Sequence, residues 1–472
     1  MKRFNLKAGV KPVALCMAAV LSIGVLAGCG GKGTDKDDQG RTIVTVGTWP
    51  TNEKEIANMN ARKDRFEEAN PDFVIQGDQW TFDLKSFYAK AAGKQLPTVF
   101  NTNFTEVPMA ASAGYLADLT SELKKQGIYD KLNEDVLKVI TKDDKVYAFP
   151  HTAYVLGLAY NVSDFRKAGL LNEDGTPMQP KTWDELAEFA VKLKEATGHA
   201  AFVFPSAENV GGWQFTQIAW SYGATFMEQD KDGKWHATFA TPECTEALQW
   251  LKDMKWKYKV MPENSFVNAE ELYKIYGTGK ASMVIGSQAT TTYANQYQMD
   301  VNDIGLMAIP AGPKKHVSLM GGGVYSVPEW ATEKQIEGAL KWIQMTSTPD
   351  ATEEYKTNIE KSYELMKERG QLTTLKSLSP WNTKSTAVQF VDQMIEKYGN
   401  ADIANVKLYN DFVTDMGDCE LKAEEPVCAQ ELYSILDSCI QAVLTDENAD
   451  CAELLKKAAF DFQANYLDNL DY

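Results

Sequence analysis

From residue 42 onward the chain alternates two periodicities. Short apolar, β-branched runs at 42–47 (TIVTVG), 73–77 (FVIQG) and 97–100 (PTVF) read as buried strands. Between them, 54–69 and 83–93 carry helical spacing. Later strand candidates fall at 145–149, 157–161, 201–204, 281–285, 304–309 and 324–327. The clearest helix is 183–197. Thr182 caps it, Glu185 completes the capping signature, Leu186, Phe189, Ala190 and Leu193 form its apolar stripe, and Gly198 stops it. Strand–helix alternation of this kind predicts βαβ units and a mostly parallel sheet. From Ser379 on, strand signals vanish and the chain reads as helical, ending in a helical hairpin around 446–450.

The first 28 residues follow neither pattern. Lys2, Arg3, Lys7 and Lys11 precede an apolar stretch at 13–26, as in a secretory signal. That stretch would span only about 21 Å as a helix, too short for a bilayer core. It ends in Leu26-Ala27-Gly28-Cys29, which resembles a bacterial lipobox. Cleavage before Cys29 and acylation of its thiol would give a lasting membrane anchor. Residues 29–40 (CGGKGTDKDDQG) hold nothing suited to a core and read as a lipidated flexible tether.

Charge narrows the partners. The formal net charge of −17 repels phosphate backbones and argues against nucleic-acid binding. Export permits disulfides, and Cys419, Cys428, Cys439 and Cys451 crowd the C-terminal region. Expected bridges are Cys419–Cys428, closing a polar loop, and Cys439–Cys451, stapling the terminal hairpin, with Cys244 free. Free thiols and a zinc site are the rivals, although no C-x₂₋₄-C pair is present.

Signatures of catalysis are missing. His151, His199, His236 and His316 are scattered, with no H-E-x-x-H, no G-x-S-x-G and no phosphate-binding glycine loop. No metal or cofactor is called for. Glu228, Asp230, Asp232 and Gly233 imitate the start of a calcium loop, but Phe239 stands where the closing Glu is required. A hairpin turn at Asp232-Gly233 fits better.

Several segments, in order, resemble the extracellular solute-binding protein family 1, the maltose-binding-protein-like receptors. They are KQLPTVFNTNFTEVPMAASAGYLADL (94–119), DKVYAFPHTAYVLGLAYN (144–161), YNVSDFRKAGL and PKTWDELAEFAVKL (within 160–193), GTGKASMVIG (277–286), IGLMAIPAGP (304–313), the glycines at 321–323, and 442–455. Thr98 stands where that family usually has Asp, and 356–430 match poorly. The resemblance implies an α/β, two-lobe periplasmic-binding-protein-like fold of type II, with mostly parallel sheets flanked by helices and a ligand cleft between lobes. Lobe I would comprise 41–151 and 305–355, and lobe II 156–303 and 360–472, with crossings near 152–155, 303–305 and 355–360. It further implies a monomeric, non-catalytic receptor outside the cytoplasm, held to the membrane through Cys29 and handing a di- or oligosaccharide to the permease of an ABC importer. Another solute, a surface glycoside hydrolase and a sensory subunit are the competing functions.

A sugar presents hydroxyls and apolar ring faces, so polar and flat aromatic residues just past strand ends are the candidates. These are Trp49, Thr102, Asn103, Thr105 and Glu106, then Tyr154 on the first crossing, Trp213 in VGGWQF, Gln288 after MVIGS, and Gly322. Trp80 and Trp381 are further candidates, and Trp213 and Trp49 are expected to face each other across the cleft.

Overall fold

A computed structural model describes residues 35–470. The expected signal segment, Cys29 and the first part of the expected tether lie outside the described residues. Residues 35–40, expected as flexible tether, fold back on the first strand. The Asp37 carboxylate accepts from the Arg41 N–H at 2.8 Å, and the Ile43 N–H donates to the Asp35 carbonyl at 2.9 Å. No helix among the described residues is long and apolar enough to cross a membrane.

The strands that build the molecule are β1 (Thr42–Val46), β2 (Phe73–Gly77), β3 (Phe100–Asn103), β4 (Phe149–Val155), β5 (Gly157–Asn161), β6 (Ala200–Val203), β7 (Ala281–Gly286), β8 (Ile304–Ala308), β9 (Val317–Ser326) and β10 (Glu420–Lys422). In the first body β1 and β2 pair in parallel, and Val46 bridges Val99 in the same sense. There the long β9 pairs antiparallel with β3 and β4 and parallel with β10. The second body holds a sheet of order β8-β5-β7-β6, parallel only between β7 and β6.

Pairing is therefore less uniformly parallel than strand–helix alternation predicts, and the reason is the crossing. The chain leaves the first body along β4 and β5 and returns along β8 and β9. Outbound and inbound strands lie side by side and must run in opposite directions.

Near the expected crossings, β4 stays paired with β9 as far as Val155, and β8 is laddered to β5 over Ile304–Ala308. Residues 355–360 lie inside a helix. The chain also makes one strand, β10, in the region expected to be wholly helical.

Helices cover both sheets: α1 (Glu53–Ala69), α2 (Trp183–Thr197), α3 (Val210–Tyr222), α4 (Gln288–Gln296), α5 (Glu333–Gln344), α6 (Glu353–Glu368), α7 (Ala429–Thr445) and α8 (Cys451–Asn465). α2 begins at Thr182, whose hydroxyl accepts from the Glu185 N–H at 3.2 Å, and stops at Gly198, where φ is +79°. Trp183, Leu186, Ala187, Ala190 and Leu193 bury its inner face. The calcium-loop look-alike is a hairpin joining Met227–Gln229 to Trp235–Ala237.

The expected disulfides are absent: Cys244, Cys419, Cys428, Cys439 and Cys451 are all free. Cys419 is buried in one hydrophobic cluster, whereas Cys428 packs on the other. On the terminal hairpin, Cys439 Sγ approaches the Leu454 carbonyl at 3.8 Å and Cys451 Sγ approaches Gln249 Oε1 at 3.5 Å. Each thiol is thus directed at an oxygen acceptor.

Candidate ligand-binding site

Between the two sheets lies a cleft of two connected chambers that share Thr152 and Tyr154. The smaller, about 600 Å³, is walled by Asn103, Thr105 and Glu106 past the end of β3, by Gly321–Gly323 of β9, and by Glu424 and Gln430. The larger, about 790 Å³, is walled by Trp213 and Gln214 of α3, Tyr273, Ser287 and Gln288 at the start of α4, His151, and the 371–380 segment.

Close backbone approach makes this geometry possible. A Cβ at Gly321 would collide with the Tyr154 hydroxyl, and one at Gly322, where φ is +150°, would collide with the Thr152 carbonyl. On the opposite wall, Gly212 lets α3 press directly on the Tyr433 backbone of α7. Asp437 of α7 then satisfies the start of α3, accepting from the Asn209 and Gly212 N–H groups, each at 2.7 Å. This clamp fixes the first turn of α3, and with it Trp213.

The electrostatics are one-sided. Burial pushes Glu424 up to about 8, nearby Tyr433 and Trp213 oppose the shift, and the charge of Glu106 raises it further. Glu106 is also raised, by burial first, while the Tyr88 hydroxyl at 3.5 Å opposes the shift and Glu431 adds to it. Burial raises Tyr154 to about 12, with Glu424 and Tyr273 contributing. His151 is lowered by burial, which favours its neutral form. Among the described residues, the walls of both chambers include no lysine or arginine. No cluster of three or more His, Cys, Asp or Glu among them is arranged to hold a metal ion.

The sequence profile of the bacterial extracellular solute-binding proteins matches residues 20–353. The chain belongs to this family. One relative of this solute-binding protein is the sn-glycerol-3-phosphate-binding periplasmic protein UgpB of Salmonella typhimurium. It is 24% identical over 360 residues, which cover 70% of this chain and 78% of that protein. Among solved structures, the cyclic alpha-maltosyl-1,6-maltose binding protein of Arthrobacter globiformis superposes with a TM-score of 0.62 at 21% identity, over 91% of this chain and 100% of that one. UgpB of Mycobacterium tuberculosis in complex with glycerophosphocholine gives 0.60 at 16% identity, over 90% and 98%. The shared fold is the two-lobe type II architecture.

In this solute-binding protein the cleft brings together seven of the residues expected there: Asn103, Thr105, Glu106, Tyr154, Trp213, Gln288 and Gly322. Four others sit elsewhere. Thr102 points into the core of the first body, because side chains alternate along β3 and its neighbours Asn101 and Asn103 take the other face. Trp49 stacks on Trp342 of α5 with centroids 6.5 Å apart, so it does not face Trp213 across the cleft. Trp80 packs edge-on to Phe100, and its indole N–H donates to Ser86 at 3.3 Å. Trp381 is 6% exposed, set edge-on to Phe149, and lines an adjoining crevice of about 500 Å³ that shares Gln288, Ser377 and Leu378 with the larger chamber.

Sequence reasoning missed Glu424, Gln214, Tyr273 and His151. Glu424 lies in the poorly matching 356–430 region, where only its place in the short polar run before α7 hinted at a role. Gln214 is adjacent to Trp213, and helical geometry turns both toward the larger chamber.

Proposed function

We propose that the protein is a monomeric, lipid-anchored receptor outside the cytoplasm that captures a di- or oligosaccharide and delivers it to the permease of an ABC importer. The observation that carries this reading is the make-up of the cleft: aromatic faces from Trp213, Tyr154 and Tyr273 beside carboxylate and amide groups able to take up hydroxyls. The same walls argue against a phosphate ligand. A phosphate ester needs a cationic or N–H-rich cradle, whereas these walls hold Glu106 and Glu424 and no lysine or arginine.

In this reading residues 1–28 are the removed signal, Cys29 carries lipid, and 29–40 lead into two lobes that meet at Leu156 and beyond Ala308. Closure of the lobes around ligand is the signal read by the permease.

Thermal melting against a panel of neutral mono-, di- and oligosaccharides and sn-glycerol 3-phosphate tests the ligand class. Ligand at 100 times its Kd adds about 2.7 kcal/mol of stability. A saccharide should raise the midpoint and glycerol phosphate should not; stabilisation by glycerol phosphate alone would overturn the reading. Cys29→Ala should release the protein from the membrane fraction, and unchanged fractionation would remove the anchor from the proposal.

A further inference from the structure

The cleft is rich in acceptors and poor in cations. Glu106 and Glu424 share the smaller chamber; burial raises both, the charge of Glu106 adds to the shift of Glu424 and that of Glu431 to the shift of Glu106, with no lysine or arginine in the walls to offset them. In the larger chamber Gln214 is 4% exposed; its Nε2 donates to the Ile285 carbonyl at 3.4 Å, and its Oε1 is a buried acceptor with no partner. A buried acceptor left unpaired is costly, and a donor on the ligand would relieve it. Lys422, the nearest basic residue in sequence to Glu424, is engaged with Glu425 at 3.7 Å and with the Trp220 ring at 4.0 Å. The whole chain is acidic, which draws cationic solutes toward it.

We propose that the preferred ligand is a saccharide bearing at least one ammonium group, seated between Glu106 and Glu424 with its rings against Trp213 and Tyr154. This rests on the carbohydrate reading and narrows it. An ammonium supplies the missing donors and counter-charge together, and the Trp213 face adds cation–π attraction.

Binding should also release a proton near neutral pH, because a cation beside Glu424 favours its ionised form. The groups that face Glu424 are Tyr433 of α7, Trp213 of α3, Tyr154 of β4 and Glu106 beyond β3; those that face Glu106 are Tyr88, Thr105 and Glu431. None of them is a cation that could take over this role.

Calorimetry on the exported protein should compare short glucosamine oligomers with their fully N-acetylated counterparts and with neutral gluco-oligomers of equal length. The amino form is expected to bind at least about tenfold tighter than the acetylated form, with the gap narrowing as salt is raised. Its binding enthalpy should differ between buffers of different ionisation heat. Glu424→Gln and Glu106→Gln should each weaken the amino form at least about tenfold more than they weaken neutral saccharides, a melt confirming the fold. If one variant does not fold, the other and the acetylation comparison decide. Equal affinity for amino and acetylated forms overturns the inference and leaves the carbohydrate reading standing. Failure of every saccharide to bind overturns both. Spermidine binding as tightly as the amino oligomers removes the sugar ring from the proposal and overturns it too.

Discussion

Trp49 and Trp213 each sit close to a glycine, yet they end in different environments. Past the end of β1, Trp49 lies over Gly77, where an added Cβ would strike its indole, and stacks on Trp342, which in turn carries Arg62 at 4.0 Å on its ring. Trp213 lies in the first turn of α3, where Gly212 and Asp437 bind that turn to α7 and leave the ring half-buried at the cleft wall. A strand end or glycine turn thus makes a position available to the cleft. Whether the ring goes there depends on the neighbouring element. α5 offers Trp49 a flat partner, and the packing of α3 on α7 leaves Trp213 only the cleft.

The widest separation between these two regions should come from truncating Trp49. Trp49→Ala removes an aromatic packed on the first body and should cost about 3 kcal/mol of stability while leaving ligand affinity within about twofold. Denaturant unfolding beside calorimetric titration checks it; a large loss of affinity with normal stability would place Trp49 in the binding surface after all. Trp213→Ala should show the reverse balance. Truncating a central aromatic anchor costs about 2 kcal/mol of binding, roughly thirtyfold in Kd, with a much smaller shift in melting. Parent-like affinity would remove Trp213 from the site.

The support beneath Trp213 can be weakened separately. Asp437→Ala leaves the first N–H groups of α3 without their carboxylate, a loss of about 1–2 kcal/mol for a cap of this kind, and should weaken binding through a looser Trp213. Asp437→Asn keeps an acceptor and should recover most of both. Stability and affinity falling together in the alanine variant, with recovery in the asparagine variant, would sharpen the contrast with Trp49.

A further effect is a slope with pH. Glu424 binds its proton more tightly folded, up to about 8, than a carboxyl of ordinary Glu pKa does in the unfolded chain. Between those two values the folded state holds a proton that the unfolded state has lost, so stability falls as pH rises through that window and levels off above it. Melting of the ligand-free protein across that range should show the decline, and Glu424→Gln should flatten it. An unchanged slope would mean that another group carries the titration.

Much of the local structure was legible because it is written in local chemistry. Thr182 and Gly198 bound α2 through side-chain capping and a left-handed turn, and the continuous apolar runs within 157–161 and 281–285 mark strands buried on both faces. The polar residues after β3 could be placed at the cleft because strand ends open toward a site in α/β sheets. The strand-parity rule, applied to β3, would also have excluded Thr102.

Other features depend on partners far away in the chain. Glu424 becomes a cleft residue because the segment leading from β10 to α7 returns beside β3, more than three hundred residues after Glu106. The cysteine contacts depend on side-chain direction after the terminal helices pack, and sequence spacing carries none of that information. The antiparallel pairs β4–β9 and β5–β8 exist because the chain crosses between lobes and comes back. By itself the sequence determined the elements, the family and an acidic exported character, since capping, periodicity and charge act within a few residues or over the whole composition. The tertiary structure alone decided which tryptophan meets the cleft and that two carboxylates share it, because both depend on long-range packing that no local pattern encodes.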